Sequence, residues 1–337
     1  MNKVLIIAEA GVNHNGSMDM AKRLVDAAAT AGADYVKFQT FKADKLVSAA
    51  AKKAAYQVEN TNGDSQFEML KKLELSVEQH HELIDYCKLK NIKFLSTAFD
   101  LESIDLLNAL NVQLFKIPSG EITNLPYLEK IGFLKKDVII STGMCVMSEI
   151  ENAMTVLIKA GTNKDNISVL HCTTDYPTAM KDVNLKAMLS IQKQLNVPVG
   201  YSDHTLGIEV SVAAVAMGAT IIEKHFTLDK TLLGPDHKAS LEPHELKEMI
   251  IAIRNIEQAL GKSEKEPTAT EMKNMLVARK SIHLLKAFSK GHILCENDLS
   301  MKRPGDGISP MELKKVLGKK LKIDVDVEHK LRWEDLE

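Results

Sequence analysis

Two lysines stand inside runs that should be buried. Lys37 lies between Val36 and Phe38, and Lys116 between Phe115 and Ile117. A lysine is seldom fully buried unless it is paired or used. Each either forms a Schiff base with a carbonyl substrate or binds an anion. Ser119, Ser141 and Ser202 fall in or beside comparable runs. Small hydroxyls on several segments around two ammonium groups make a donor-rich pocket, suited to phosphate or to phosphate plus carboxylate. The plainer alternative pairs the two lysines with Glu9 and Glu121 for structure alone. His204 and His225 end two successive runs. If those runs are adjacent strands, their ends lie about 5 Å apart, and two imidazoles can share one divalent ion. By spacing alone, a pair of hydrogen-bonded histidines fits as well. His171, between Leu170 and Cys172, reads as a core residue.

These residues need elements to carry them. Short apolar, β-branched runs recur at 4–10, 35–41, 93–99, 114–120, 137–143, 167–173, 197–203 and 220–226. Amphipathic helical stretches separate most of them, clearest at 18–31 and 150–160, with Gly32 and Gly161 placed as C-terminal caps. Eight strands alternating with helices predict a parallel sheet, and the count is that of an α/β fold of the (β/α)8 TIM-barrel type. An open doubly wound sheet is the runner-up, but no G-x-G-x-x-G follows the first strand. A barrel keeps its chemistry at the C-terminal strand ends. Polar residues collect at those ends: Glu9 with Asn13-His14-Asn15-Gly16; Lys37, Gln39 and Thr40; Ser96 and Thr97; Lys116, Ser119 and Glu121; Ser141-Thr142-Gly143; His171, Thr174 and Tyr176; Ser202-Asp203-His204; Glu223 and His225. Burying so many polar groups is costly unless they meet each other, water or a ligand.

The interval between the second and third strands is much longer than the others. Its excess, 42–75, is polar in its middle and is a candidate lid over the catalytic face. After a helix at 243–260 the chain changes character. The barrel is expected over 1–261, a polar linker with Pro267 over 262–278, and a small β-rich domain over 279–337. That last segment carries 13 basic and 10 acidic residues, so it is weakly cationic while the remainder is weakly anionic.

The 337 residues carry a formal net charge of -2, with no broad basic face for nucleic acid. No run approaches the ~18–20 apolar residues of a membrane span. Glu9 ends the first apolar run before it reaches the length of a secretory signal. Cys87, Cys145, Cys172 and Cys295 form no C-x-x-C pair and are expected as reduced thiols in a cytoplasmic protein.

The motifs together resemble those of the sialic acid (nonulosonic acid) synthases. The resemblance is carried by Ala8-Glu9-Ala10-Gly11-Val12-Asn13-His14-Asn15-Gly16, Val36-Lys37-Phe38-Gln39-Thr40, Phe115-Lys116-Ile117-Pro118-Ser119-Gly120-Glu121, His171-Cys172-Thr173-Thr174-Asp175-Tyr176-Pro177, Tyr201-Ser202-Asp203-His204-Thr205, Glu223-Lys224-His225-Phe226 and Gly234-Pro235-Asp236-His237. Ser141-Thr142-Gly143-Met144 and Lys302-Arg303-Pro304-Gly305 complete it, all in the family's order. The tail resembles the family's antifreeze-like (SAF) domain. The resemblance implies a TIM barrel followed by that domain, in a domain-swapped homodimer. It further implies condensation of phosphoenolpyruvate with an N-acylated hexosamine sugar and release of phosphate.

By position, the resemblance makes His204 and His225 ligands of a divalent metal, Mn²⁺ first, with Mg²⁺ or Co²⁺ as alternatives. Lys37, Lys116, Ser119, Ser141 and Ser202 match the phosphoenolpyruvate pocket, with Thr97 and Thr174 beside it. Glu9, Gln39, Tyr176 and Asp236 match residues near the sugar or metal. Arg303 matches an arginine that reaches the partner subunit's site. Two departures stand out: Ala98 replaces a proline common in the family, and threonines occupy 173–174 where members often place an asparagine. Glu9 and Glu121 are both candidates for the base that activates water. The expected acceptor is N-acetylmannosamine, giving N-acetylneuraminate, or alternatively 2,4-diacetamido-2,4,6-trideoxymannose, giving a legionaminate. Outside this chemistry, a Schiff-base pyruvate aldolase would use one of the two lysines, and a non-catalytic sugar- or ice-binding protein would leave the polar strand ends unexplained.

Overall fold

The computed structural model describes residues 3–48, 51, 53 and 65–337. Eight parallel strands close a barrel in chain order. They are β1 (Leu5–Gly11), β2 (Tyr35–Thr40), β3 (Lys93–Ala98), β4 (Leu114–Ile117), β5 (Asp137–Ser141), β6 (Ile167–Cys172), β7 (Val199–Asp203) and β8 (Ile221–His225). β1 pairs with both β2 and β8, which closes the ring. Every expected strand is present. β4 stops short of its expected end because Pro118 has no N–H to give the ladder, and the chain turns there into a 3-10 turn over Ser119–Glu121.

Side chains along a strand alternate between faces, and this alternation builds the site. Facing inward at the barrel's lower level are Ile7, Leu95, Ile139, Leu170 and Ile221, a buried apolar floor. Two residues further along the same strands, on the same face, come Glu9, Thr97, Ser141, Cys172 and Glu223. The intervening residues face outward, and Ile6, Ala8, Val36, Phe38, Val138, Ile140 and Val169 join the larger core beneath the helices.

The helices follow from local rules. Met18–Ala31 starts where the Ser17 side chain accepts from Met20 N and ends at Gly32, with φ 89°; it buries Ala21, Leu24, Val25 and Ala28. Each leucine-sized side chain so covered contributes roughly 2 kcal/mol. Met147–Ala160 starts before its apolar stripe does, because Glu149 accepts from Val146 N and satisfies that end. Of the 42–75 interval read as a lid, 49–50, 52 and 54–64 lie outside the described residues. Gln66–Leu73 is a helix begun by a Ser65–Glu68 capping box, and it packs Met69 and Leu73 with Val12 and Phe41. Among the described residues no helix is long and apolar enough to cross a membrane.

The chain divides into two compact units, Met1–Gly261 and Lys262–Glu337. Within the stretch read as a linker, Ala269–Ala278 is a helix, capped by Thr268 and burying none of its side chains. The second unit has its own core, which includes Ile282, Leu284, Leu294, Leu321, Leu331 and Leu336. Its only regular strands among the described residues are β9 (Ser281–Leu284) and β10 (Leu299–Lys302), an antiparallel pair.

This unit contains a repeat. His292-x-Leu294-x-x-x-Asp298-Leu299 recurs at His329-x-Leu331-x-x-x-Asp335-Leu336. The structure obeys it: His292 Nε2 meets Asp298 at 2.9 Å, and His329 Nε2 meets Asp335 at 3.0 Å. Gly291 N donates to Leu321 O, and the equivalent Glu328 N donates to Leu284 O. Leu294 N donates to Lys319 O, and Leu331 N to Ile282 O. Phe288 and Val325 exchange both backbone bonds with each other, as residues beside a pseudo-twofold axis must.

Candidate functional site

At the C-terminal end of the barrel a cavity of about 290 Å³ is lined by the inward polar layer. Lys37 and Lys116 rise from β2 and β4, and both converge on Glu223 of β8. Lys37 Nζ donates to Glu223 Oε2 at 2.6 Å and Lys116 Nζ to Oε1 at 3.2 Å. Ser202 Oγ also donates to Oε1, at 2.9 Å. Lys37 lies 3.4 Å from Glu9 Oε2, while Gln39 Nε2 donates to Glu9 Oε1 at 3.2 Å. All four ionisable side chains are buried.

Burial makes their charges unequal. It opposes ionisation of Glu223, but Lys116 and Lys37 outweigh it and hold that carboxyl well below its usual range. Burial pushes Glu9 up to about 7, against the pull of Lys37 and with the push of Glu223. Lys37 is raised, because Glu223 and Glu9 outweigh its desolvation. Lys116 is lowered by burial and by the charge of Lys37. One carboxylate is thus firmly ionised, and the other titrates near neutrality.

The group is not self-sufficient. Thr97 Oγ1, Ser141 Oγ and His225 Nδ1 are buried without a hydrogen-bond partner, and Glu9 Oε2 has only the Lys37 ammonium at 3.4 Å. Each such atom costs about 1–3 kcal/mol if left unmet. They line one cavity, as expected where a ligand completes the bonding. Two glycines keep the space open. A side chain at Gly11, where φ is 53°, would begin 3.3 Å from Gln39 and 3.4 Å from Glu9. One at Gly143 would lie 2.0 Å from Thr174 Oγ1 and 3.0 Å from Ser119 Oγ. Gly143 N instead donates to Ser119 Oγ at 2.9 Å.

His204 and His225 end β7 and β8 with ring centroids 5.6 Å apart, and Tyr176 covers them at 4.2 and 5.8 Å. Burial lowers His204 to about 4, its bond to Thr173 O at 2.6 Å notwithstanding. That bond uses the Nδ1 proton and leaves the Nε2 lone pair available. Burial, then the neighbouring His204, lowers His225 well below the usual range. Two neutral imidazoles, one with an orphaned nitrogen, are the form in which histidine can offer a lone pair to a divalent ion. Among the described residues no three of His, Cys, Asp and Glu gather as a ready cage. The chain would therefore supply two ligands and leave the other positions to substrate and water.

The expected residues do not all meet here. Glu9, Lys37, Gln39, Thr97, Lys116, Ser119, Ser141, Thr174, Tyr176, Ser202, His204 and His225 line the cavity. Glu121 does not, which corrects its placement as a strand-end group facing the pocket. β4 has already ended, and the 3-10 turn carries Glu121 aside, where its Oε2 accepts from Asn124 Nδ2 at 2.6 Å. The lysines pair with Glu9 and Glu223 rather than with Glu9 and Glu121. Asp236 is buried outside the cavity lining, before a 3-10 turn, and burial raises it to about 6. Arg303 is exposed in the second unit. His171 is half-buried on the outward face, bonded to Val183 O and 5.5 Å from the Tyr201 ring. Glu223, the hub of the site, was visible only as one polar residue among many; its place two residues before His225 was the available signal.

Known proteins resemble the chain along nearly its whole length. The family model described as the NeuB family matches residues 24–265, and the SAF domain matches 276–337. N,N'-diacetyllegionaminic acid synthase from Campylobacter jejuni is 56% identical, covering 95% of this chain and 96% of that one. The enzyme of the same name from Legionella pneumophila is 49% identical over 98% of this chain and 94% of its own. The crystal structure of N-acetylneuraminic acid (sialic acid) synthetase from Leptospira borgpetersenii, in complex with citrate, superposes with a TM-score of 0.72. It is 35% identical and covers 81% of this chain and 90% of its own.

Proposed function

The chain belongs to the NeuB family, and on that premise we propose how its site works as a nonulosonic acid synthase. Phosphoenolpyruvate and the open-chain form of an N-acylated sugar are the substrates, and the product of the reading favoured here is N,N'-diacetyllegionaminate. Identity of 56% and 49% to two N,N'-diacetyllegionaminic acid synthases supports that product over N-acetylneuraminate, the first expectation from sequence. The observation that carries the chemistry is the pair of buried lysines beside unpartnered donors in one small cavity.

Lys37 and Lys116 neutralise the phosphate and carboxylate of phosphoenolpyruvate. The hydroxyls of Thr97 and Ser141, which lack partners, and those of Ser119 and Ser202 fix its orientation. His204 and His225 would hold a divalent ion, Mn²⁺ by expectation, whose chemistry when bound is Lewis-acid polarisation of the sugar aldehyde. The enolpyruvate methylene carbon then forms a bond to the aldehyde carbon. Water adds to the cationic C2 and gives up one proton, the sugar alkoxide takes one up, and the new C2 hydroxyl becomes the ketone as phosphate leaves with its bridging oxygen and the second proton. Glu9 takes the proton from that water, because it lines the cavity and Glu121 does not. Gln39 holds the other Glu9 oxygen and so aims it.

A second copy of the chain completes the reading, with Arg303 of one protomer serving the acyl group in the other's site. Around the barrel mouth Met144, Val146, Leu206 and Leu233 are exposed, an apolar rim suited to being covered. Reduced thiols and a phosphorylated metabolite as donor fit a cytoplasmic setting. The deciding experiment measures phosphate release from phosphoenolpyruvate with Mn²⁺ and each candidate sugar. Turnover with 2,4-diacetamido-2,4,6-trideoxymannose well above that with N-acetylmannosamine is expected. The reverse order overturns the acceptor, and borohydride trapping of pyruvate on Lys37 or Lys116 without phosphate release overturns the reaction.

A further inference from the structure

We infer that the buried Asp203–Lys224 pair is a positioning device that sets the distance between His204 and His225. The inference rests on the reading of those imidazoles as metal ligands. Asp203 and Lys224 are register partners at the end of the β7–β8 ladder. By alternation their side chains leave the sheet on the face opposite Ser202, His204, Glu223 and His225. They form an ion pair at 2.9 Å with both side chains at 0% exposure.

The bonds around the pair are arranged about the histidines. Lys224 Nζ also donates to Thr205 O at 2.6 Å. Asp203 Oδ1 accepts from Thr205 N at 2.9 Å and Thr205 Oγ1 at 2.7 Å, and Oδ2 accepts from Ser211 Oγ at 2.6 Å. Asp203 and Thr205 flank His204, and Lys224 sits between Glu223 and His225. Paired strand residues run only as far as Asp203 and Lys224. Beyond that point, one side-chain cluster ties the segment bearing His204 to the residue preceding His225.

Stability is a weak explanation for such a pair. Buried ion pairs commonly do no better than apolar residues of similar size, because desolvation cancels most of the attraction. Geometry is a stronger one. Two ligands on separate strands must be held to a fraction of an ångström; groups hydrogen-bonded to a ligand commonly set metal affinity by 10–100-fold, and this cluster acts one step further back, through the backbone beside each imidazole.

The test uses the full chain, with the double replacement Asp203→Leu/Lys224→Met, which removes both charges together. Thermal melting, phosphoenolpyruvate binding without metal, Mn²⁺ affinity by calorimetry and the Co²⁺ ligand-field spectrum are measured in parallel. The expected result is a folded variant that melts lower, because Thr205 N, Thr205 Oγ1 and Ser211 Oγ lose their acceptor, and that keeps its phosphoenolpyruvate affinity while binding Mn²⁺ roughly tenfold or more weakly with a shifted Co²⁺ spectrum. Parental Mn²⁺ affinity and spectrum in the folded double variant overturn the inference. Should that variant not fold, Lys224→Arg keeps the charge but moves the donor atoms; weaker Mn²⁺ binding is expected, and unchanged binding overturns it. Failure of the underlying reading shows separately: a parent chain whose Mn²⁺ affinity is unaltered by His204→Ala/His225→Ala has no metal site there, and the positioning role falls with it.

Discussion

On the inner face of the barrel Lys37 and Lys116 share Glu223 and Glu9; on the outer face of β7 and β8 Lys224 meets Asp203. Both groups are buried and both join lysine to carboxylate. At Asp203 each oxygen accepts at least one hydrogen bond, and Lys224 has carbonyl and carboxylate acceptors. In the inner group the charges are matched two against two, yet two neighbouring hydroxyls, Thr97 Oγ1 and Ser141 Oγ, have no hydrogen-bond partner. Buried charge alone therefore does not mark a binding site. What sets the inner group apart is that Thr97 Oγ1, Ser141 Oγ and His225 Nδ1, all unpartnered, line one cavity with it.

That contrast can be broken by single substitutions. Lys224→Met strands Asp203 without its cation and is expected to cost about 3–5 kcal/mol in a denaturant melt. Lys116→Met leaves Glu223 still held by Lys37 and Ser202; it is expected to lose roughly 10²–10³ in kcat/KM for phosphoenolpyruvate with a much smaller change in melting. Equal stability losses from the two would erase the distinction.

Glu9 gives the inner group a pH signature. Its carboxyl is raised to about 7 by burial, so the native state holds this proton more tightly than the unfolded chain does. Its contribution to stability is present below about 4.5 and is lost as pH rises through about 7, of order 3 kcal/mol in all. Melting of the parent against Glu9→Gln across that window isolates it. As a base Glu9 must be ionised, so kcat/KM should fall about tenfold per unit below pH 7. A flat acid limb would move the proton transfer to another group.

The smallest and sharpest comparison uses hydroxyls. Ser141→Ala removes a buried group with no partner and should leave ligand-free stability unchanged or raised, while weakening phosphoenolpyruvate binding by roughly 1 kcal/mol. Ser211→Ala removes a donor to Asp203 and should cost stability by about 1–3 kcal/mol, with donor-substrate binding intact.

Much of this was legible in the sequence because alternation is strict. Once Ile7, Leu95 and Ile139 are read as inward, Glu9, Thr97 and Ser141 must be inward too. Periodicity was silent where a chain leaves a strand. Pro118 ends β4 early, so Glu121 turns aside, and no spacing rule gives that angle. The helix at Ala269–Ala278 was missed because it buries no stripe, and helices are read mainly from their buried stripes. Asp203 and Lys224 were visible as residues, but pairing across two strands depends on register, which the hydrophobic pattern alone does not fix. The repeat in the tail was present in the letters from His292 to Leu336 and shows itself once the paired backbone bonds are compared.

That repeat makes the second unit, in effect, a dimer written on one chain. Each copy offers Leu284, Leu294 and Leu299, or Leu321, Leu331 and Leu336, to a core the two enclose jointly. A chain given only one copy would hold half an interior, and its simplest remedy would be another chain like itself. The tether between the copies, 300–317, is the portion that symmetry leaves alone. It has no counterpart in the repeat, although Ile308 and Val316 within it still reach the shared core, and the exposed Arg303 lies there too.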